Sequence, residues 1–190
     1  NIILFIGDGM SVSQVSAFRL YQGGPNSRVA VDKFPYSGKV LIHSANAIVT
    51  DSASSTTAFS TGKKTNNRAL GVDVGGQPTE NITETLDKSG YVSSVISTSE
   101  VTHATPAAFV VHTSSRYLTD EISIQMADSK IINILGGGRK FFIPEKDGGN
   151  RKDGINLIEK VKTKSRLITD KSELSDPARY GDSQVFGLFA

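Results

Sequence analysis

Apolar residues in this chain fall into short continuous runs alternating with stripes at helical spacing. Ile2-Ile3-Leu4-Phe5-Ile6 is unbroken by a polar residue, the pattern of a strand buried on both faces of a parallel sheet. Val40-Leu41-Ile42, Val92 to Ile96 and Ile131 to Leu135 predict further strands. Between them, Val12, Val15 and Phe18 mark a helix that stops in the Gly23-Gly24-Pro25-Asn26 loop, and a small-residue helix starts at Ser52. Asn81 with Glu84 has the spacing of a capping box, and Gly90 is placed to end that short helix. Another helix is expected to run from Pro106 and one over Asp120–Ser129, and Ile155, Ile158 and Val161 give a last apolar stripe. Strands alternating with helices predict an α/β fold: a mostly parallel central sheet with helices on both faces. The polar stretch from Gly62 to Pro78 reads as a connection, and Lys146 to Gly154 as an exposed loop.

Composition narrows the picture only slightly. A length of 190 residues fits one domain with a substantial core. Charge is nearly balanced at +2, from 21 basic and 19 acidic residues, so no nucleic-acid partner is implied. The basic run Lys160-Val161-Lys162-Thr163-Lys164 reads as a solvated helix face. With no cysteine, disulfides and thiolate metal sites are excluded. No apolar run has the length of a transmembrane span. The chain opens directly on its first expected strand, so any leader is expected to have been removed or left out.

Candidate chemistry gathers where strands run into helices. In Thr50-Asp51-Ser52-Ala53-Ser54-Ser55, a serine stands at a helix N-terminus, where unpaired N–H groups and the helix dipole favour an anion. Small neighbours let a tetrahedral group approach, although Asp-Ser is also ordinary cap chemistry and spacing alone does not separate the two. Asp8, between Gly7 and Gly9 at the end of the first apolar run, suits either a cation or a turn. Downstream lie His103, Thr105-Pro106 as N-cap and first helical residue, and Arg116 about three helical turns further on. The planar fork of Arg116 suits bidentate phosphate binding.

Together these segments resemble the alkaline phosphatases. Gly7-Asp8-Gly9-Met10 is similar to that family's first metal motif, and Val49 to Ser55 to its phosphoserine signature, continued through Ala58 to Thr65 and Gly71-Val72. His103-Ala104-Thr105-Pro106-Ala107, Ser115-Arg116, Ile134 to Gly138 and Gly187 to Ala190 follow in the family's order, so the resemblance covers the whole chain. It implies a metal-dependent phosphate monoester hydrolase with a covalent phosphoserine intermediate on Ser52. By the same resemblance Arg116 binds phosphate, Asp51 positions Arg116, and Asp8, Ser52, His103 and Thr105 serve the metals. Those metals are two Zn2+ and one Mg2+. The substrates implied are small phosphate monoesters, the location is periplasmic or secreted, and a homodimer is possible by family habit.

Some positions depart from the family pattern. Thr56 stands where the signature has Gly or Ala, and Ser11 replaces a frequent glycine and is placed to cap the next helix. His103 occupies a position that is aspartate in the best-known bacterial type, and imidazole favours zinc over magnesium. The other histidines, His43 and His112, match no ligand position and read as structural. The C-terminal motifs that complete the zinc pair are absent, so residues 1–190 are expected to be the N-terminal part of such a catalytic domain, inactive in isolation. Related phosphodiesterases, sulfatases and phosphoglycerate mutases are the second enzyme reading, and a non-enzymatic folding unit is the third.

Overall fold

The computed structural model describes residues 1–131, 133–175 and 184–189; Ile132 of the expected fourth strand and Ala190 of the last landmark lie outside them. The chain forms two compact units, Asn1–Leu41 and Ile42–Ala190.

In the first unit, helix α1 (Val12–Gly23) starts at Ser11, whose Oγ accepts from the Ser13 N–H at 3.2 Å. The cap expected of Ser11 is present. A short 3-10 turn follows at Ala30–Lys33. Arg19 joins the two, donating to both carboxylate oxygens of Asp32 at 2.5 and 2.7 Å and to the Ser27 carbonyl at 2.6 Å. That bidentate pairing, with the Val29 N–H, holds the Asp32 carboxyl far below the usual carboxylate range. The strand expected at 2–6 does not form, and Ile2, Ile3, Leu4 and Phe5 are exposed. Val40-Leu41-Ile42 is likewise exposed and outside any strand. A strand is defined by ladder hydrogen bonds to a neighbour, and no described residue offers either run such a ladder.

The second unit is built on four parallel strands in the order β1-β2-β4-β3, with β1 Ser94–Glu100, β2 Asn133–Gly137, β3 Arg166–Ile168 and β4 Val185–Leu188. The α/β fold with a parallel sheet is therefore as the alternation predicts, although the strand expected at 92–96 is shifted to 94–100. Ile134 pairs with Val95 on one side and Phe186 on the other. The register slips between Ile96 and Glu100, where β1 bulges over the end of β2. Gly136 is required there, since a Cβ would stand 2.8 Å from Val101 Cγ1 and 2.9 Å from the Ser99 carbonyl oxygen.

Helices α2 (Ser52–Thr61), α3 (Ile82–Lys88), α4 (Ala104–Ala107), α5 (Thr119–Asp128) and α6 (Leu157–Lys164) complete the unit. The Asn81–Glu84 capping box is formed in full, and Gly90 takes φ +78° just past α3. Ile122 and Met126 on α5, and Leu157, Ile158 and Val161 on α6, sit in one core with Ile134, Phe186 and Leu188. Phe142 meets Phe186 edge-on at 5.5 Å. Ile155 falls outside the α6 stripe and is exposed, because the helix begins after it. On α6 the basic run is solvated as expected, with Lys160 and Lys164 both on Asp128. The 146–154 loop is mostly exposed, but Arg151 within it is fully buried. It donates to Ser123 Oγ at 2.5 Å, to the Asp120 and Phe141 carbonyls, and to both carboxylate oxygens of Asp153. The loop is thereby anchored to α5.

Candidate active site

Ser52 is the first residue of α2, half-buried, with Asp51 as N-cap: its Oδ1 accepts from the Ser54 N–H at 2.9 Å. Both readings of the Asp-Ser pair are thus compatible, with Asp51 as the cap and Ser52 on the first turn that the cap orients. Behind Ser52 the helix is lined with small polar residues. Ala53, Ser54, Thr56, Thr57 and Ser60 are all buried. Ser60 donates to the Ala108 carbonyl at 2.7 Å; Thr57 donates to the Ala69 carbonyl and accepts from the Gly71 N–H at 3.0 Å. These bonds let α2 lie close against neighbouring backbone. Gly71 matches that closeness: it has φ +61°, and a Cβ would come within 2.2 Å of the Val111 carbonyl oxygen.

Arg116 reaches this helix start from 65 residues away. Its Nη1 donates to Asp51 Oδ2 at 3.4 Å and its Nη2 to His103 Nε2 at 3.0 Å, with side chains of Asp51 and Arg116 only 26% and 18% exposed. Asp51 Oδ2 also accepts from the Arg68 N–H at 3.1 Å. Burial alone, the largest single influence, works against charge on Asp51. The N–H groups of Ser54 and Arg68, the Ser54 hydroxyl and the Arg116 guanidinium together outweigh it and hold the carboxyl below its ordinary value. The outcome is a carboxylate fixed in place beside a guanidinium, next in sequence to Ser52.

The structure thus brings Asp51, Arg116 and His103 into one hydrogen-bonded row. Thr105 lies half-buried two residues beyond His103 on α4, and Asp8 belongs to the 1–41 unit. The route to Arg116 differs from the expected helix. His103, not Thr105, is the N-cap of α4, Pro106 is inside it, and the helix ends at Ala107. The chain then pairs backbone at Leu70 and Thr113, and Arg116 sits in a turn whose N–H bonds the Arg68 carbonyl at 2.7 Å. A helix cannot continue because Thr113 is drawn across to Leu70, each N–H donating to the other's carbonyl. His112 takes part in this, with Nδ1 on the Gly71 carbonyl and Nε2 on Glu84, the structural role expected of it. His43 is exposed, its carbonyl accepting from Lys64 Nζ. Two contributors escape the sequence reading: Ser54, which on α2 gives Asp51 its N–H and hydroxyl, and Arg68, which no local signal distinguishes within the polar 62–78 stretch.

A parallel sheet with helices packed on it places the chain in the α/β class, with a serine-bearing helix start beside an Asp–Arg–His row. The sequence profile of the alkaline phosphatases matches residues 1–190, and the chain belongs to that family. It is 36% identical to alkaline phosphatase 3 of Bacillus subtilis (strain 168), with 100% of this chain covering 41% of that protein. It is 32% identical to the tissue-nonspecific isozyme of Felis catus, covering 45% of it. Among solved structures, a histidine-to-aspartate variant of TAB5 alkaline phosphatase with Mg bound in its M3 site matches at a TM-score of 0.85 and 31% identity. That match covers 96% of this chain and 50% of the other. The chain spans about half the length of the relatives it matches.

Among the described residues, no three His, Asp or Glu side chains stand close enough to hold a metal ion. Asp51 is committed to Ser54, Arg68 and Arg116, and His103 Nε2 to Arg116. The described residues therefore do not by themselves make a metal centre.

Proposed function

We propose that this chain carries the nucleophile and phosphate-binding half of a phosphate monoester hydrolase. Ser52 Oγ attacks phosphorus in line, losing its proton to solvent, and the Oγ–P bond forms as the bond to the leaving oxygen breaks. That oxygen departs as the alcohol with a proton from solvent, and water then cleaves the phosphoserine to inorganic phosphate and free Ser52. Arg116 holds two non-bridging oxygens, and the N-terminus of α2 faces the same charge. Asp51 keeps the guanidinium aimed rather than serving a metal. The observation that carries this reading is the Asp51–Arg116 pair at the helix start that presents Ser52. Monoesters are favoured over diesters because Arg116 and the helix N-terminus together suit a dianionic phosphoryl group.

The metal complement is proposed from family membership: two Zn2+ and one Mg2+, with Asp8, Ser52, His103 and Thr105 contributing and further donors supplied beyond the described residues. A homodimer and a periplasmic or secreted location belong to the same proposal; no described helix is long and apolar enough to cross a membrane.

Trapping of labelled phosphate at acid pH tests the nucleophile. The label is expected on Ser52, and Ser52→Ala is expected to abolish trapping and lower turnover by orders of magnitude. Label on another residue overturns the assignment. His103→Asp is expected to tighten magnesium binding in a calorimetric titration, since magnesium prefers carboxylate to imidazole. An unchanged isotherm removes His103 from the metal site.

A further inference from the structure

Among the described residues, Arg68 is the one non-glycine residue with positive φ, at +76°. A long side chain rarely adopts that conformation unless the surroundings impose it. Its effect here is specific. The Arg68 N–H points to Asp51 Oδ2 at 3.1 Å while its carbonyl accepts the Arg116 N–H at 2.7 Å. One left-handed residue thus touches both members of the Asp51–Arg116 pair through its backbone. Rotating φ to a negative value turns the N–H and carbonyl relative to one another, and at most one of these bonds survives. The guanidinium of Arg68 is occupied elsewhere, lying over the Tyr117 ring at 5.7 Å.

The preceding residue bonds the same turn through its side chain. Asn67 Oδ1 accepts from the Asp51 N–H at 3.2 Å and from Ser54 Oγ at 2.9 Å, and its Nδ2 donates to the Val49 carbonyl at 3.0 Å. Those partners bracket Ser52 from residue 49 to residue 54. Asn67 is itself held, its N–H donating to Asn46 Oδ1 at 2.9 Å.

We propose that Asn67 and Arg68 are a positioning pair for phosphoryl transfer. The Asn67 amide sets the turn that presents Ser52, and the left-handed backbone of Arg68 locks Asp51 and Arg116 in register. The proposal rests on the phosphoryl-transfer reading above and adds residues that the serine, the arginine and the metals do not account for.

The test compares Arg68→Gly, Arg68→Val and Asn67→Ala in the metal-loaded enzyme bearing this sequence. Measurements are kcat and KM on a chromogenic phosphate monoester, inhibition by inorganic phosphate, and Tm, with Ser52→Ala run in parallel. Arg68→Val, which resists positive φ, is expected to weaken phosphate inhibition and lower kcat/KM on the order of tenfold or more. Arg68→Gly takes the same φ without strain and is expected to stay close to the parent. Asn67→Ala is expected to lower kcat while KM and phosphate inhibition hold, because Arg116 is left in place; Asn67→Asp, keeping an oxygen toward Asp51 and Ser54, is expected to recover part of the loss. Should Arg68→Val show no folding transition, Arg68→Gly and Asn67→Ala decide the matter. If Arg68→Gly loses as much as Arg68→Val, or if Asn67→Ala matches the parent in kcat, the positioning proposal is overturned. Turnover undiminished in Ser52→Ala overturns the phosphoryl-transfer reading instead, so the two failures are told apart.

Discussion

The layer around α2 and the layer around the sheet's far half are packed by different means. Around α2 the buried residues include Ser54, Thr56, Thr57, Ser60 and Thr113, with Ala53 and Ala108, and hydroxyl-to-carbonyl bonds join α2 to its neighbours. Between β2, β4, α5 and α6 the buried residues are Ile134, Phe186, Leu188, Ile122, Met126, Leu157 and Phe142, filling space by shape. Small hydroxyl residues bring backbone close to backbone, which is what a site for a compact anion needs, while large aliphatic residues resist deformation. The first layer fixes positions and the second supplies most of the stabilising burial.

The sharpest way to break this contrast is in the aliphatic layer. Phe142→Ala removes a fully buried ring against Phe186 and is expected to cost about 3–5 kcal/mol of stability, read by denaturant titration. Inorganic phosphate inhibition of the protein that remains folded is expected to be unchanged. A large change in phosphate affinity would mean that the two layers are not separable.

Arg116→Ala is the complementary change. It is expected to lower kcat/KM by about a hundredfold and to weaken phosphate inhibition, by removing the donor proposed for the phosphoryl oxygens. Tm is expected to fall little, since Asp51 keeps the Ser54 and Arg68 N–H groups. A collapse in stability with unaltered phosphate inhibition would make Arg116 structural. Next in size is Thr57→Val, which conserves volume but strips the Gly71 N–H and the Ala69 carbonyl of their partner. In a shape-packed layer such a swap would be nearly neutral; here a loss of about 1–3 kcal/mol is expected, from the desolvated groups left unpaired.

What the sequence disclosed follows the same division. Strands β1 and β2, the capping box before α3 and the α5 and α6 helices are legible because period, caps and glycines are local signals, whereas β3 and β4, of three and four residues, are too short to show a period. Ser52, Asp51 and Arg116 are legible as residue types in a familiar order, and the fold brings Asp51 and Arg116 together across 65 positions. The runs at 2–6 and 40–42 carry an equally strong strand pattern yet make no ladder with any described residue, because pairing depends on a neighbour that a local pattern does not contain. The helix expected to reach Arg116 fails for a related reason: the long-range bridge between Leu70 and Thr113 outweighs local helical spacing. Arg68 is invisible beforehand because an arginine at positive φ has no compositional mark, unlike the glycine at position 71.

The smallest effect concerns the charge on Asp51. Its folded-state carboxyl lies below the ordinary value of 3.8, because the N–H, hydroxyl and guanidinium donors together exceed the opposing influence of burial. A depressed acid contributes stability that is fully present above its unfolded value and is lost as pH falls through its folded value. Asp51→Asn removes that contribution and also turns an amide donor toward the Arg68 N–H or Arg116, so it is expected to be less stable than the parent at neutral pH. The stability gap between the two, followed by denaturant titration, is expected to hold steady from neutral pH down to about pH 5 and to narrow below about pH 4. The difference between variants isolates Asp51 from the acid sensitivity of other paired carboxylates, Asp32 among them, which act equally in both proteins. A gap that widened with acidification would reverse the sign, placing the folded carboxyl above its ordinary value. Burial would then prevail over the donors, and the fixed negative charge that aims Arg116 at the helix start would be lost as the premise of the site.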